Sequence, residues 1–368
     1  MRQSPYYSYS LHFIAVLTTG ATFLLIFMGG LVTSHRAGMS VPDWPNSYGY
    51  NMFLFPPRLW IGGIFYEHTH RLMGTVVGTL SIVLAIWAWR VETRPWVRWL
   101  ATSTLVAVVL QGVLGGLRVV LVKLDLAIVH ACVAQAFFCL VVMVAMVTSR
   151  RWMDWDLSLT RDRVQGRVLM YACIVAVFAI YGQLVIGAMM RHYDAGLAVP
   201  DFPLAYGKLI PHTDPASIDR YNHQRAWELN LPPVTVSQIW LHMGHRVGAV
   251  FVTLLVISVS TLVLYRHRTE RDLVILACIL ILLVILQVIL GMVTILKRKP
   301  ADIASAHVAV AALILVSMLM LAIRVGRQFS NRPLSRVIRE LANWPDSGNL
   351  PRRMPTFSSG NTARIQGT

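Results

Sequence analysis

Four histidines and one glutamate are the residues of this sequence whose types and spacing could do chemistry. Glu67, His70 and Arg71 fall within "YEHTHRLMG" (residues 66–74), at the head of an apolar run long enough to cross a bilayer. Ionisable groups inside such runs cost roughly 2.5–3.5 kcal/mol each on insertion scales, so a cluster of them marks a site. His245-Arg246 heads a later run in the same manner, and His130 and His307 lie near the starts of two more. Imidazole is a ligand suited to iron. A carboxylate three residues ahead of a histidine shares its helix face. From there it can move a proton or stabilise positive charge that develops during an oxidation.

The elements that must position these groups are membrane helices. Of the 368 residues, 56% are hydrophobic and 14% charged, well short of the roughly 25% charged in soluble domains. Eight apolar segments are long enough to span: about 11–32, 65–89, 97–121, 126–148, 168–190, 238–265, 273–296 and 302–323. The fold class is therefore an all-α polytopic membrane protein. The net charge of +16 does not point to nucleic acid, because the basic residues gather at membrane edges. Arg90/Arg94/Arg98, Arg150/Arg151, Arg161/Arg163/Arg167, Arg266/Arg268/Arg271 and the Arg-rich tail fall in alternate connections. The positive-inside rule places these, with both termini, in the cytoplasm of a cell whose inner membrane holds the chain. Loops 33–64 and 191–237 then lie outside. Arg118, Lys123 and Lys297-Arg298-Lys299 run against the rule without reversing it. The first segment reads as a retained helix rather than a signal peptide. Cys132, Cys139, Cys173 and Cys278 all fall inside spans, so no exported disulfide framework is expected.

The chain reads as a duplicated half. "AGMSVPDWPNSYG" after the first span returns as "AGLAVPDFPLAYG" after the fifth, with eight of thirteen positions identical. Glu67-His68-Thr69-His70-Arg71 opens the second span and His242-Met243-Gly244-His245-Arg246 the sixth. "QGVLGG" from Gln111 matches "QVILGM" from Gln287, and "LAIVHACVA" around His130 matches "IASAHVAVA" around His307. Four spans per half, an even number, give parallel repeats. The expected architecture is two tandem four-helix bundles, residues 1–150 and 151–325, followed by a disordered cytoplasmic tail from 326 to 368.

Topology puts His70, His130, His245 and His307 at one depth near the outer face, a pair in each bundle. Facing histidines in a four-helix bundle make a haem cage. Gly115, Gly116 and Gly291 fit either porphyrin clearance or helix packing. Gln111 and Gln287 fit bonds to a haem edge or an imidazole, or ordinary interhelical bonds. Arg71 and Arg246 fit haem propionates or snorkelling to the interface. Zinc is disfavoured, since no carboxylate or thiolate completes a tetrahedral set in the second half. Glu67 aligns with His242, so only one half carries a carboxylate beside the ligand position. That favours chemistry in the first half, against a simple Glu67–Arg71 pair. His68 points about 100° away from its neighbours and takes no role. The Asp43 and Asp201 loops fit site caps or rigid turns. His12, His35, His192, His212, His223 and His267 are expected to be solvated.

In combination, Glu67-x-x-His70-Arg71, His245-Arg246, His130, His307 and the "AG-x-x-VPDWP" loop resemble the haem A synthase family. The resemblance covers residues 11–323. It implies an oxidoreductase that converts a ring methyl of haem O to the formyl group of haem A. The reaction would pass through hydroxymethyl haem and a dehydrating gem-diol, for use in respiratory haem-copper oxidases. It implies that His70 and His130 line the substrate haem site, with Glu67 as catalytic carboxylate. His245 and His307 would ligate a resident haem b. An electron donor is required, and haem O synthase, oxidase assembly factors or a second copy of the chain are conceivable partners. The first outer loop lacks the cysteine pair of some members, so the chain resembles the cysteine-free type. The rival is a membrane di-haem b cytochrome that only transfers electrons, which would leave Glu67 idle. A transporter would carry its ionisable residues nearer mid-membrane, and a prenyl transferase would need Asp-rich clusters that are absent.

Overall fold

The computed structural model describes residues 7–154 and 163–329. Eight long helices account for every expected span: α1 (Tyr9–Ser34), α2 (Gly63–Val91), α3 (Pro95–Leu121), α4 (Leu124–Thr148), α5 (Arg163–His192), α6 (Val236–Arg266), α7 (Arg271–Leu296) and α8 (Ala301–Phe329). Each is long and apolar enough to cross a membrane. Their ends are set by capping chemistry at the edges of the apolar runs. The Ser8 side chain accepts from the Leu11 N–H at α1, Pro95 opens α3, and Thr235 and Gln238 close a reciprocal capping box on α6. Helix α8 continues to Phe329, so residues 326–329 are helical. The rest of the expected tail lies outside the described residues.

Among α1–α4 the packed pairs are 1–2, 2–3, 3–4 and 1–4, and among α5–α8 the corresponding pairs 5–6, 6–7, 7–8 and 5–8. The two sets meet through α1–α8, α4–α5 and α4–α8. Helix α8 is the innermost, with 67% of its apolar window buried against 22–39% in the other seven. An apolar seam of Ile26, Phe138, Val142, Ala312 and Val316 joins α1, α4 and α8. Small residues bring α1 and α8 close: a Cβ added at Gly30 would lie 2.9 Å from the Ser305 Cβ. The Ser34 and Ser305 hydroxyls are 3.2 Å apart, and the Arg191 guanidinium donates to the Gly30 carbonyl and to Ser34 Oγ.

One face of the helical body carries the long α1–α2 and α5–α6 loops. The opposite face carries the short, arginine-rich connections. There Arg94 pairs with Glu92 at 2.7 Å, Arg324 pairs with Asp272, and Arg327 lies over the Trp152 ring at 4.0 Å. His267, expected to be solvated, is buried at this face. It caps α6 through its backbone N–H to Val263, so it is tucked under the helix end.

Candidate active site

The two long loops fold alike because the same side chains fix the same backbone. Asp43 accepts from the Tyr48 and Gly49 N–H groups at 2.7 and 2.8 Å. Asp201 accepts from Tyr206 and Gly207 at 2.8 and 2.9 Å. Gly49 and Gly207 take φ of +75° and +77°, a backbone region open to glycine. The Tyr48 hydroxyl donates to the Ser40 carbonyl and the Tyr206 hydroxyl to that of Ala198. Burial pushes the Asp43 carboxyl up, but the Gly49 and Tyr48 N–H groups and the Arg71 charge outweigh it and hold its pKa below the aspartate range. The turn reading of these aspartates is therefore the one the structure shows.

Each loop is clamped to the following helix by an arginine. Arg71 donates to the carbonyls of Val41 (2.6 Å), Asp43 (2.6 Å) and Asn46 (3.0 Å). Arg246 donates to the repeat-equivalent carbonyls of Val199 (3.1 Å), Asp201 (2.5 Å) and Leu204 (2.9 Å). Glu67, 4% exposed, accepts from the Val41 N–H and from Arg71, both at 2.9 Å. In the second half His242 Nδ1 stands 3.3 Å from the Val199 nitrogen and 3.0 Å from the Ala195 carbonyl. Glu67 and His242 thus share a loop-tying position, and the carboxylate adds a negative charge on one side. His68 also serves the loop: it is buried between Phe55 and Trp60, with Nδ1 3.2 Å from Ser47 Oγ.

Beneath the loops lie the histidines. His70 on α2 and His130 on α4 are within electrostatic range of each other, as are His245 on α6 and His307 on α8. Every one of these rings rests against a glycine of the preceding helix. A Cβ at Gly29, Gly115, Gly187 or Gly291 would lie 3.1, 3.2, 3.2 or 3.0 Å from Cε1 of His70, His130, His245 or His307 respectively. Gly115 and Gly291 therefore seat imidazoles, while Gly116 admits the Trp44 indole, 2.4 Å from its added Cβ. Gly29 and Gly187 were not singled out from the sequence, although "MGG" and "IGA" close the two helices at equivalent places.

Among the described residues neither ring nitrogen of His70 or His130 bonds to protein, and Nδ1 of His70, His130 and His307 is buried without a partner. Gln111 donates to the His130 carbonyl at 3.0 Å, and Gln287 lies 3.3 Å from His307 Nε2. Gln183, which sequence reasoning passed over, contacts His245 Nδ1 at 3.0 Å and its carbonyl at 2.8 Å. No three His, Cys, Asp or Glu side chains converge among the described residues as a bare metal ion would require. Paired imidazoles, each keeping a ring nitrogen without a hydrogen bond among the described residues, suit haem iron instead.

Fold and site together define a polytopic helical membrane protein with two histidine pairs suited to haem, each under a clamped loop. The family profile described as cytochrome oxidase assembly protein matches residues 62–319, and the chain belongs to that family. It is 28% identical over 287 residues to a haem A synthase of Shouchella clausii, covering 77% of this chain and 86% of that protein. It is 25% identical to that of Geobacillus kaustophilus, covering 86% and 93%. To that of Shewanella oneidensis it is 26% identical, covering 82% and 92%.

Proposed function

We propose that this protein oxidises a ring methyl of haem O to the formyl group of haem A, as its relatives' name implies for them. The observation that carries the reading is the paired set of glycine-seated histidines with unpartnered nitrogens, in a chain of this family. The N-terminal four helices form the substrate bundle, with His70 and His130 facing the haem O iron. The C-terminal four form a second bundle in which His245 and His307 would hold a haem b, whose chemistry when bound would be electron relay. Glu67 is the catalytic carboxylate. It lies three residues before His70 and is held in place by the Val41 N–H and Arg71. From there a negative charge stabilises positive charge developing on the ring methyl during oxidation. The loop clamped by Arg71 caps this site and limits access of bulk water. The chain resides in the inner membrane, with the arginine-rich face in the cytoplasm, following the positive-inside rule.

The test is expression in a haem O-producing host that lacks its own synthase, followed by identification of extracted haems. Haem A or hydroxymethyl haem is the expected product. Bound haem b alone, with electron supply shown to be adequate, overturns the reading. A Glu67→Gln variant is expected to retain haem yet lose turnover by about 100-fold or more, the scale of losing one positioned electrostatic group; full turnover removes the role given to Glu67.

A further inference from the structure

Arg118 lies near the loop-face end of α3, three residues after Gly115, and so on the same helix face one turn beyond the glycine that seats His130. It is half-buried and within electrostatic range of His70, His130, Glu67 and Arg71. Its guanidinium approaches Gly38 through Nη2, which would lie 1.8 Å from a Cβ added there. Its single hydrogen bond among the described residues is a long one, 3.3 Å from Nη2 to the Gly38 carbonyl. No carboxylate among those residues pairs with it. Glu67, the nearby acid, is already engaged by Arg71 and the Val41 N–H. The site therefore holds two guanidinium groups and one carboxylate at the end of a membrane span. A half-buried charge left without a counter-ion is costly there.

The second half reaches a similar arrangement from a different position. The residue aligned with Arg118 is Thr294, whose hydroxyl bonds its own helix at Leu290. The loop glycine aligned with Gly38 is Gly196, and an added Cβ there lies 3.8 Å from the Lys299 side chain. In both halves a basic side chain borders the loop glycine, although the two cations come from non-equivalent places. The arginines that the sequence offers as propionate ligands, Arg71 and Arg246, direct their donors to loop carbonyls.

We propose that Arg118 binds a carboxylate of the substrate haem, anchoring a propionate at the loop-face rim of the first histidine site. Arginine offers a planar fork of donors that matches a carboxylate, and here four of its five N–H groups have no acceptor among the described residues. The proposal rests on the haem reading of that site and adds the residue that fixes which edge of the ring faces the loop.

The test uses full-length detergent-purified protein with its second-half haem in place, titrated with protohaem or its dimethyl ester and followed by the Soret band. Wild type is expected to bind the diacid at least tenfold more tightly than the ester. Arg118→Gln should bring the diacid down to the ester's affinity and leave the ester unchanged, while Arg118→Lys recovers part of the difference. Equal binding of diacid and ester by wild type overturns the proposal without recourse to any variant. An unchanged diacid preference in Arg118→Gln overturns it as well. Uptake that a His70→Ala/His130→Ala variant does not diminish overturns the haem reading of the site itself, and the Arg118 proposal with it.

Discussion

At the scale of single residues, four glycines set how closely each imidazole seats against its neighbouring helix. An alanine methyl at Gly187 or Gly291 would meet an imidazole carbon at 3.2 or 3.0 Å, so the ring must yield by tenths of an ångström. Gly182, on the same helix as Gly187, has nothing within 4 Å of its added Cβ. Alanine is the better helix former by about 1 kcal/mol, so Gly182→Ala should leave a bound haem spectrum unchanged and raise thermal stability slightly. Gly187→Ala is expected to shift the electron paramagnetic resonance signal of a haem held by His245 and His307. Identical spectra for the two variants would remove the seating role. The sequence exposes the histidines because they repeat. It conceals Gly29 and Gly187 because glycines are common in membrane helices, and only the packed α1–α2 and α5–α6 pairs show which of them faces a ring.

At the scale of elements, each of the two loops is tied by one aspartate that accepts from two backbone N–H groups and one arginine that donates to three backbone carbonyls. A carboxyl whose pKa is depressed on folding contributes stability that is present above its unfolded pKa and is lost as pH falls through the folded value. For Asp43 the depression comes from the Gly49 and Tyr48 N–H groups and Arg71 acting against burial. Protection of the Tyr48 and Gly49 amides, corrected for intrinsic exchange, should hold steady from neutral pH to about pH 4 and decay below it. An Asp43→Asn variant should show no such decay. Loss of protection that begins well above pH 5 in wild type would mean that another group governs the loop. The repeat alone marks Asp43 and Asp201 as candidate turn residues. It carries no sign that Arg71 and Arg246 reach main-chain carbonyls 25–30 and 42–47 residues away, since a backbone acceptor has no sequence signature.

At the scale of the whole molecule, the close approach of α1 and α8 brings the two halves together at the loop face. Gly30 is the contact point, with Ser305 opposite and Arg191 bonded to its carbonyl. Overpacking of such a contact costs about 1–3 kcal/mol. Gly30→Leu is expected to lower the thermal unfolding midpoint of the purified protein. Gly20→Leu, on the same helix with nothing within 4 Å, should have little effect, and equal losses would show that the α1–α8 contact is not a stabilising one.

The sequence by itself determined the eight spans and the order of the repeated motifs. Apolar length, charge placement and internal similarity are properties of the chain read in order, and they survive any arrangement of the helices. Tertiary structure alone decided which groups meet: glycine against imidazole, Arg71 against the loop, Glu67 against Val41, and Arg118 at the rim of the first histidine site. Those contacts depend on how helix faces turn toward one another. Eight helices apolar on nearly every side carry little amphipathic signal to report that rotation, because lipid accepts the same residues as a helix interface does.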